Sequence, residues 1–161
     1  MAYQRLQVSE GLAVIPSNTV PIPDPATKVM SGVADFSVAN ELTDVGTEFD
    51  SAGIQKNAIV YNTTAGIAYF VTRVNGALKL ALSPATTGGA TDSYIIFNAP
   101  TKAATIYVGN TGNLVVEMAS ERDSQAVPTL TFYNVPNSAF LPILVTKVGE
   151  SSVATNIIAL W

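Results

Sequence analysis

The chain contains no cysteine and no histidine, and only 12% of its 161 residues are charged. Those absences exclude disulfide frameworks, thiolate and imidazole metal sites, cysteine nucleophiles and every mechanism that uses histidine as its base. Eight basic residues stand against twelve acidic ones, a net charge of −4, so there is no basic stripe to follow a nucleic-acid backbone. Long hydrophobic runs are missing too. The mean hydropathy is +0.31, yet apolar stretches are strand-sized, as in Tyr94-Ile95-Ile96-Phe97, far from the roughly 18–20 residues of a spanning helix. The opening MAYQRLQVSEGLAV lacks the pattern of a secretory signal. The expectation is therefore synthesis in the cytoplasm, with neither a membrane nor nucleic acid as partner and no cofactor.

So few charges leave a surface to be covered by Thr, Ser, Asn and Gly, or by another protein chain, since interfaces between copies carry less charge than free surface. Valine (18) and threonine (17) are abundant, and no 3.6-residue apolar stripe develops. β-Branched enrichment of this kind favours strands. The reading is an all-β chain, an antiparallel β-sandwich or small barrel. Expected strands are Ala58–Asn62, Ile67–Val74, Ala77–Ser83, Ser93–Asn98, Ala104–Val108, Leu114–Met118, Thr129–Val135, Leu141–Val148 and Ala154–Leu160. Asn75-Gly76 between two of these runs predicts a type I′ hairpin with positive φ at both positions. Upstream, Pro16, Pro21, Pro23 and Pro25 fall within ten residues, which forbids a helix and imposes an extended path along a surface.

Each candidate for chemistry has a plainer reading. Glu41, Asp44, Glu48 and Asp50 supply the oxygens a calcium ion takes, but not the spacing of an EF-hand loop, so a solvated edge is expected. Thr86-Thr87-Gly88-Gly89 lacks the Lys-Ser/Thr of a phosphate cradle and reads as a flexible loop. Glu117 with Glu121 or Asp123 could flank a glycosidic bond, though surface charge at a strand end accounts for them. Aromatics such as Tyr61, Tyr69 and Tyr94 could be sugar-stacking platforms if exposed, and core residues if not. The terminal Ile157-Ile158-Ala159-Leu160-Trp161 is apolar where chain ends are usually polar, so it should be tied down in the core or in an intersubunit contact.

The C-terminal stretch, Ala104-Thr105-Ile106-Tyr107-Val108-Gly109 followed by Leu114-Val115-Val116, Phe132-Tyr133-Asn134-Val135-Pro136 with Leu141-Pro142-Ile143-Leu144-Val145-Thr146-Lys147-Val148, and the final Ala154-Thr155-Asn156-Ile157-Ile158-Ala159-Leu160-Trp161, resembles the head-spike base proteins of tailed bacteriophages and gene transfer agents. Ala13-Val14-Ile15-Pro16-Ser17-Asn18-Thr19 resembles that family's opening, with Ile15 and Asn18 as departures. The middle of the chain is similar to a small β module recurrent in phage virion proteins. The loop Glu121-Arg122-Asp123 with Ala126–Pro128 is longer than the family's short turn.

The resemblance implies a discontinuous base, residues 1–36 plus 99–161, interrupted by an inserted, projecting antiparallel module at 37–98. It also implies a non-enzymatic virion component on the capsid surface, a decoration, cement or vertex-spike base protein. Its partners would be the major capsid protein, further copies of itself as a trimer or pentamer, and a spike or fibre protein. Residues expected at those contacts are Ile15, Pro16, Val20, Pro21, Ile22 and Pro23 of a strap along a neighbour, and Phe140, Leu141, Pro142, Leu160 and Trp161. A tail or neck adaptor, or a glycan-binding host-attachment module, is the alternative.

Overall fold

The computed structural model describes residues 8–85, 87–119 and 129–161. The protein is all-β: two six-stranded antiparallel sheets, and among the described residues one helical turn, the 3-10 turn Pro25–Thr27 capped by the Asp24 side chain. The chain divides into two compact units, Ile15–Lys102 and Met1–Val14 with Ala103–Trp161. These boundaries differ from the expected 36/37 and 98/99. Residues 28–34 form a strand that pairs along its length with Asp92–Phe97, and that ladder puts them in the same sheet as the middle of the chain.

In the unit Ile15–Lys102 the strands are β2 (Lys28–Ala34), β3 (Glu41–Thr43), β4 (Ile59–Asn62), β5 (Ile67–Val74), β6 (Lys79–Ser83) and β7 (Asp92–Phe97), ordered β2-β7-β4-β5-β6-β3. The outer strands of that order meet at one rung, Asp35 with Thr43, through N–H···O bonds of 2.8 and 2.9 Å. The sheet is thereby curled into a partial barrel. Its interior holds Phe36, Leu42, Phe49, Val60, Tyr69, Val71, Leu80, Tyr94 and Ile96, all buried. Phe36 stacks on Tyr69 with centroids 5.8 Å apart and meets Tyr94 edge-on at 6.4 Å, geometries that aromatic quadrupoles favour.

The hairpin at Asn75-Gly76 is not type I′. Of the two, only Gly76 has positive φ, +82°. The connection spans Asn75–Leu78 and closes with Asn75 N–H on the Lys79 carbonyl at 2.8 Å, so one glycine suffices. Gly88-Gly89 is likewise not a loose loop. Gly88 N–H donates to the Phe36 carbonyl and Phe36 N–H to the Gly89 carbonyl, each at 2.9 Å, while Gly89 N–H bonds the buried Asp92 carboxylate at 2.7 Å. A Cβ on Gly89 would lie 2.6 Å from Asp92 Oδ1, so glycine is what permits this approach. Asn62 Nδ2 completes the cluster at 2.8 Å.

Strand β4 is buried on both sides. Val60 faces the barrel interior; Ile59 and Tyr61, facing away, are also buried. Val20 and Ile22 are 3% and 2% exposed, and the Ile15 backbone approaches the Tyr61 hydroxyl without a well-formed hydrogen bond. Burial raises the pKa of that hydroxyl, and the Ile15 backbone opposes part of the rise.

The unit of Met1–Val14 and Ala103–Trp161 carries β1 (Gly11–Ala13), β8 (Ala104–Asn110), β9 (Gly112–Met118), β10 (Thr129–Val135), β11 (Ala139–Val148) and β12 (Thr155–Leu160), ordered β1-β12-β8-β11-β9-β10. One face is aliphatic and buried: Ala104, Ile106 and Val108 on β8, Leu114 and Val116 on β9, Val145 on β11, Ile157 and Ala159 on β12. The alternation within each strand is the period of two read from sequence. Strand β11 serves two neighbours, pairing with β8 through Ala139–Leu141 and Val145 and with β9 through Val145–Val148. The register shift between Leu141 and Val145 contains Pro142, which has no N–H for a ladder.

Candidate functional site

The opposite face of the β1-β12-β8-β11 region is a candidate interface. Antiparallel partners share a face, so the registers Ala13↔Ile158, Ile158↔Tyr107 and Tyr107↔Phe140 set four side chains in one row across four strands. Phe140 is 43% exposed and Ile158 36%; Tyr107 is half-buried. The neighbouring row is Gly11, Leu160 and Thr105, and beyond the first row on the other side lie Asn156 and Gly109, in close approach. Neither row contains a charged residue. Charge is present at the junction of β9 and β11, where Glu117 Oε2 meets Lys147 Nζ at 2.7 Å and Glu117 Oε1 accepts from the Thr146 hydroxyl at 3.1 Å.

Of the residues expected at contacts, Phe140 lies in that row and Leu160 in the next. Leu141 turns to the buried face beside Ile106, and Pro142 is exposed at the register shift. Trp161 is half-buried and tied through its backbone: Ser9 N–H donates to its carbonyl at 2.7 Å and its own N–H to Glu10 at 3.1 Å. The strap differs from expectation. Val20, Ile22 and Pro23 are buried in the chain itself, while Ile15, Pro16 and Pro21 are half-buried. Extended, proline-rich sequence predicted a path along a surface, and the surface it covers is the chain's own.

The candidates for chemistry disperse. Glu41 pairs with Lys79 at 2.6 Å and accepts from the Thr43 hydroxyl; these hydrogen bonds hold its carboxyl below the usual glutamate range. Asp44 accepts from the Tyr94 hydroxyl and from Gly46 N–H, both at 2.8 Å, and Glu48 accepts from Ser51. Among the described residues no three acidic side chains gather as a metal site. Glu121, Asp123 and Ala126–Pro128 lie outside the described residues, as does Thr86. Tyr61, Tyr69 and Tyr94 are each 1% exposed, which makes them core residues and removes the stacking platform proposed for glycans. No helix among the described residues is long and apolar enough to cross a membrane.

Sequence reasoning did not find the row Ile158–Tyr107–Phe140, because it spans three strands distant in the chain. The cross-strand register is what assembles it. Comparison with family models, with curated proteins and with solved structures finds no match for the chain.

Proposed function

We infer that this chain is a bacteriophage virion structural protein, a decoration or spike-base subunit that seats on the outer capsid and associates with copies of itself. The observation that carries the reading is the uncharged face with Ile158, Tyr107 and Phe140 in register. Protein interfaces are depleted of charge at their centres and enriched in aromatic side chains, and contiguous exposed apolar surface on a soluble chain marks such a contact. The low overall charge supports the same reading. Placement on a capsid rests on the C-terminal stretch that resembles head-spike base proteins, which runs through the strands that build this face. The role is mechanical: modest contacts repeated over many copies act together.

Sedimentation velocity of the purified chain tests the association. The expected result is a closed oligomer that Phe140→Ser with Ile158→Ser converts to monomer without loss of β-sheet circular dichroism. A wild-type monomer at every concentration would overturn it.

A further inference from the structure

Where the partial barrel opens, the meeting of β2 and β3 stops after a single rung. Asp35 and Thr43 exchange both backbone hydrogen bonds. In an antiparallel ladder the next such pair lies two residues on, Val33 with Val45, and that rung is not made among the described residues. Since β2 pairs with β7 on its other side, the alternation turns the backbone N–H and C=O of Val33 and Ser31 towards the gap. Side chains at the gap are apolar and unusually exposed, Val33 at 56% and Val45 at 84%. A groove of 230 Å³ runs between them, lined also by Ala34, Asp35, Thr43, Asp44, Ala90 and Thr91.

Its charge is of one sign. Neither Asp35 nor Asp44 has an ion-pair partner among the described residues, and Lys79, the cation nearby, is committed to Glu41 at 2.6 Å. Asp44 is also held in place: Tyr94 donates to Oδ2 and Gly46 N–H to Oδ1. Gly32 makes room for this, since a Cβ there would lie 3.1 Å from the Tyr94 hydroxyl and 3.2 Å from Asp44 Oδ2. A fixed carboxylate, an open strand edge and two exposed valines form one surface.

We propose that this opening docks an extended segment of a protein partner in which basic and apolar side chains alternate, added as a strand beside β2 at Ser31–Val33. Main-chain hydrogen bonds to Ser31 and Val33 supply the register; apolar side chains cover Val33 and Val45 on one face of the added strand, and basic ones meet Asp44 on the other. The proposal is independent of the oligomer face, which lies on the other unit.

The test is a titration of the isotope-labelled full chain with a six-residue peptide alternating valine and lysine, followed by amide chemical shifts. Expected are saturable shifts confined to residues 29–35 and 43–46, an affinity lowered about tenfold by Asp44→Asn and again by high salt, and no binding of the valine–glutamate counterpart. Asn at position 44 keeps both contacts, its Oδ1 accepting from Gly46 N–H and its Nδ2 donating to the Tyr94 hydroxyl oxygen, so the fold is kept, and Val45→Ser, at an 84% exposed position, gives a second fold-neutral variant that should also weaken binding. No localised shifts at millimolar peptide, or equal binding of the glutamate peptide, would overturn the proposal. Shifts induced by raising the concentration of the chain alone would assign the gap to a second copy and overturn it equally.

Discussion

Replacing Ile22 by alanine separates an integral proline-rich segment from a detachable strap. The side chain is 2% exposed and belongs to a stretch that makes no strand pairing of its own. Removing its three outer carbons costs about 2.4 kcal/mol in transfer free energy at roughly 0.8 kcal/mol per buried methylene, and the residual cavity brings Ile→Ala replacements to about 2–5 kcal/mol. Against a typical domain stability of about 5–15 kcal/mol, that is a large fraction. For a unit this size it corresponds to a fall in Tm of about 8 °C or more. Urea unfolding followed by near-ultraviolet circular dichroism reads the change through the tyrosines of the same unit, with Val38→Ala, at a 57% exposed position, as a control expected within about 0.5 kcal/mol of wild type. An Ile22→Ala loss no larger than the control's would refute the burial argument and return the segment to the role of a free arm. By the same reasoning, deleting residues 15–25 destabilises the unit rather than releasing a tether.

Three further outcomes follow from the geometry. Tyr94→Phe removes a hydrogen bond to a carboxylate and should cost about 1.5–3 kcal/mol in the same unfolding assay; an unchanged midpoint would mean the Asp44 contact contributes nothing. Gly112→Ala places a Cβ 2.6 Å from the Val153 carbonyl carbon, backbone that has little room to yield, so a loss of about 1–3 kcal/mol is expected by thermal denaturation, and tolerance of alanine would contradict the tight crossing. Hydrogen bonds from Lys79 and then Thr43 lower the Glu41 pKa, so its contribution is present above the unfolded value and fades as pH falls through the folded one. Lys79→Met should raise the Glu41 midpoint towards its ordinary value in a carboxyl NMR titration, with only a slight change in stability because the pair is solvent-accessible; an unmoved midpoint would show that Lys79 is not the cause.

Strands from Ile59 onward were legible because they alternate or run apolar between turns, and their bounds in the structure fall within a few residues of those read from sequence. Strand β2 was not, since Ser31-Gly32 interrupts its apolar pattern and its order comes from the ladder with β7. Strand β3 has only three residues and is held by β6 on one side and by the Asp35 rung on the other, neither of which leaves a local trace. Gly88-Gly89 looked like a loop because glycine is equally suited to a turn and to a close approach; only the position of Asp92 distinguishes them. The sequence points to Phe140 and Leu160 only through the resemblance and the apolar terminus, and the structure places both on the uncharged face of the second sheet. Ile158 and Tyr107 join Phe140 only through pairings across more than thirty residues of chain, information that resides in register rather than in any motif.

If the protein is the proposed virion subunit, a cryo-EM reconstruction of the intact particle will show it. Density for the curled six-stranded sheet and for the second sheet is expected on the outer shell, in symmetric clusters whose copies meet across Tyr107, Phe140 and Ile158. Absence of the protein from the particle, or copies that leave Phe140 and Ile158 in solvent, would contradict the proposal.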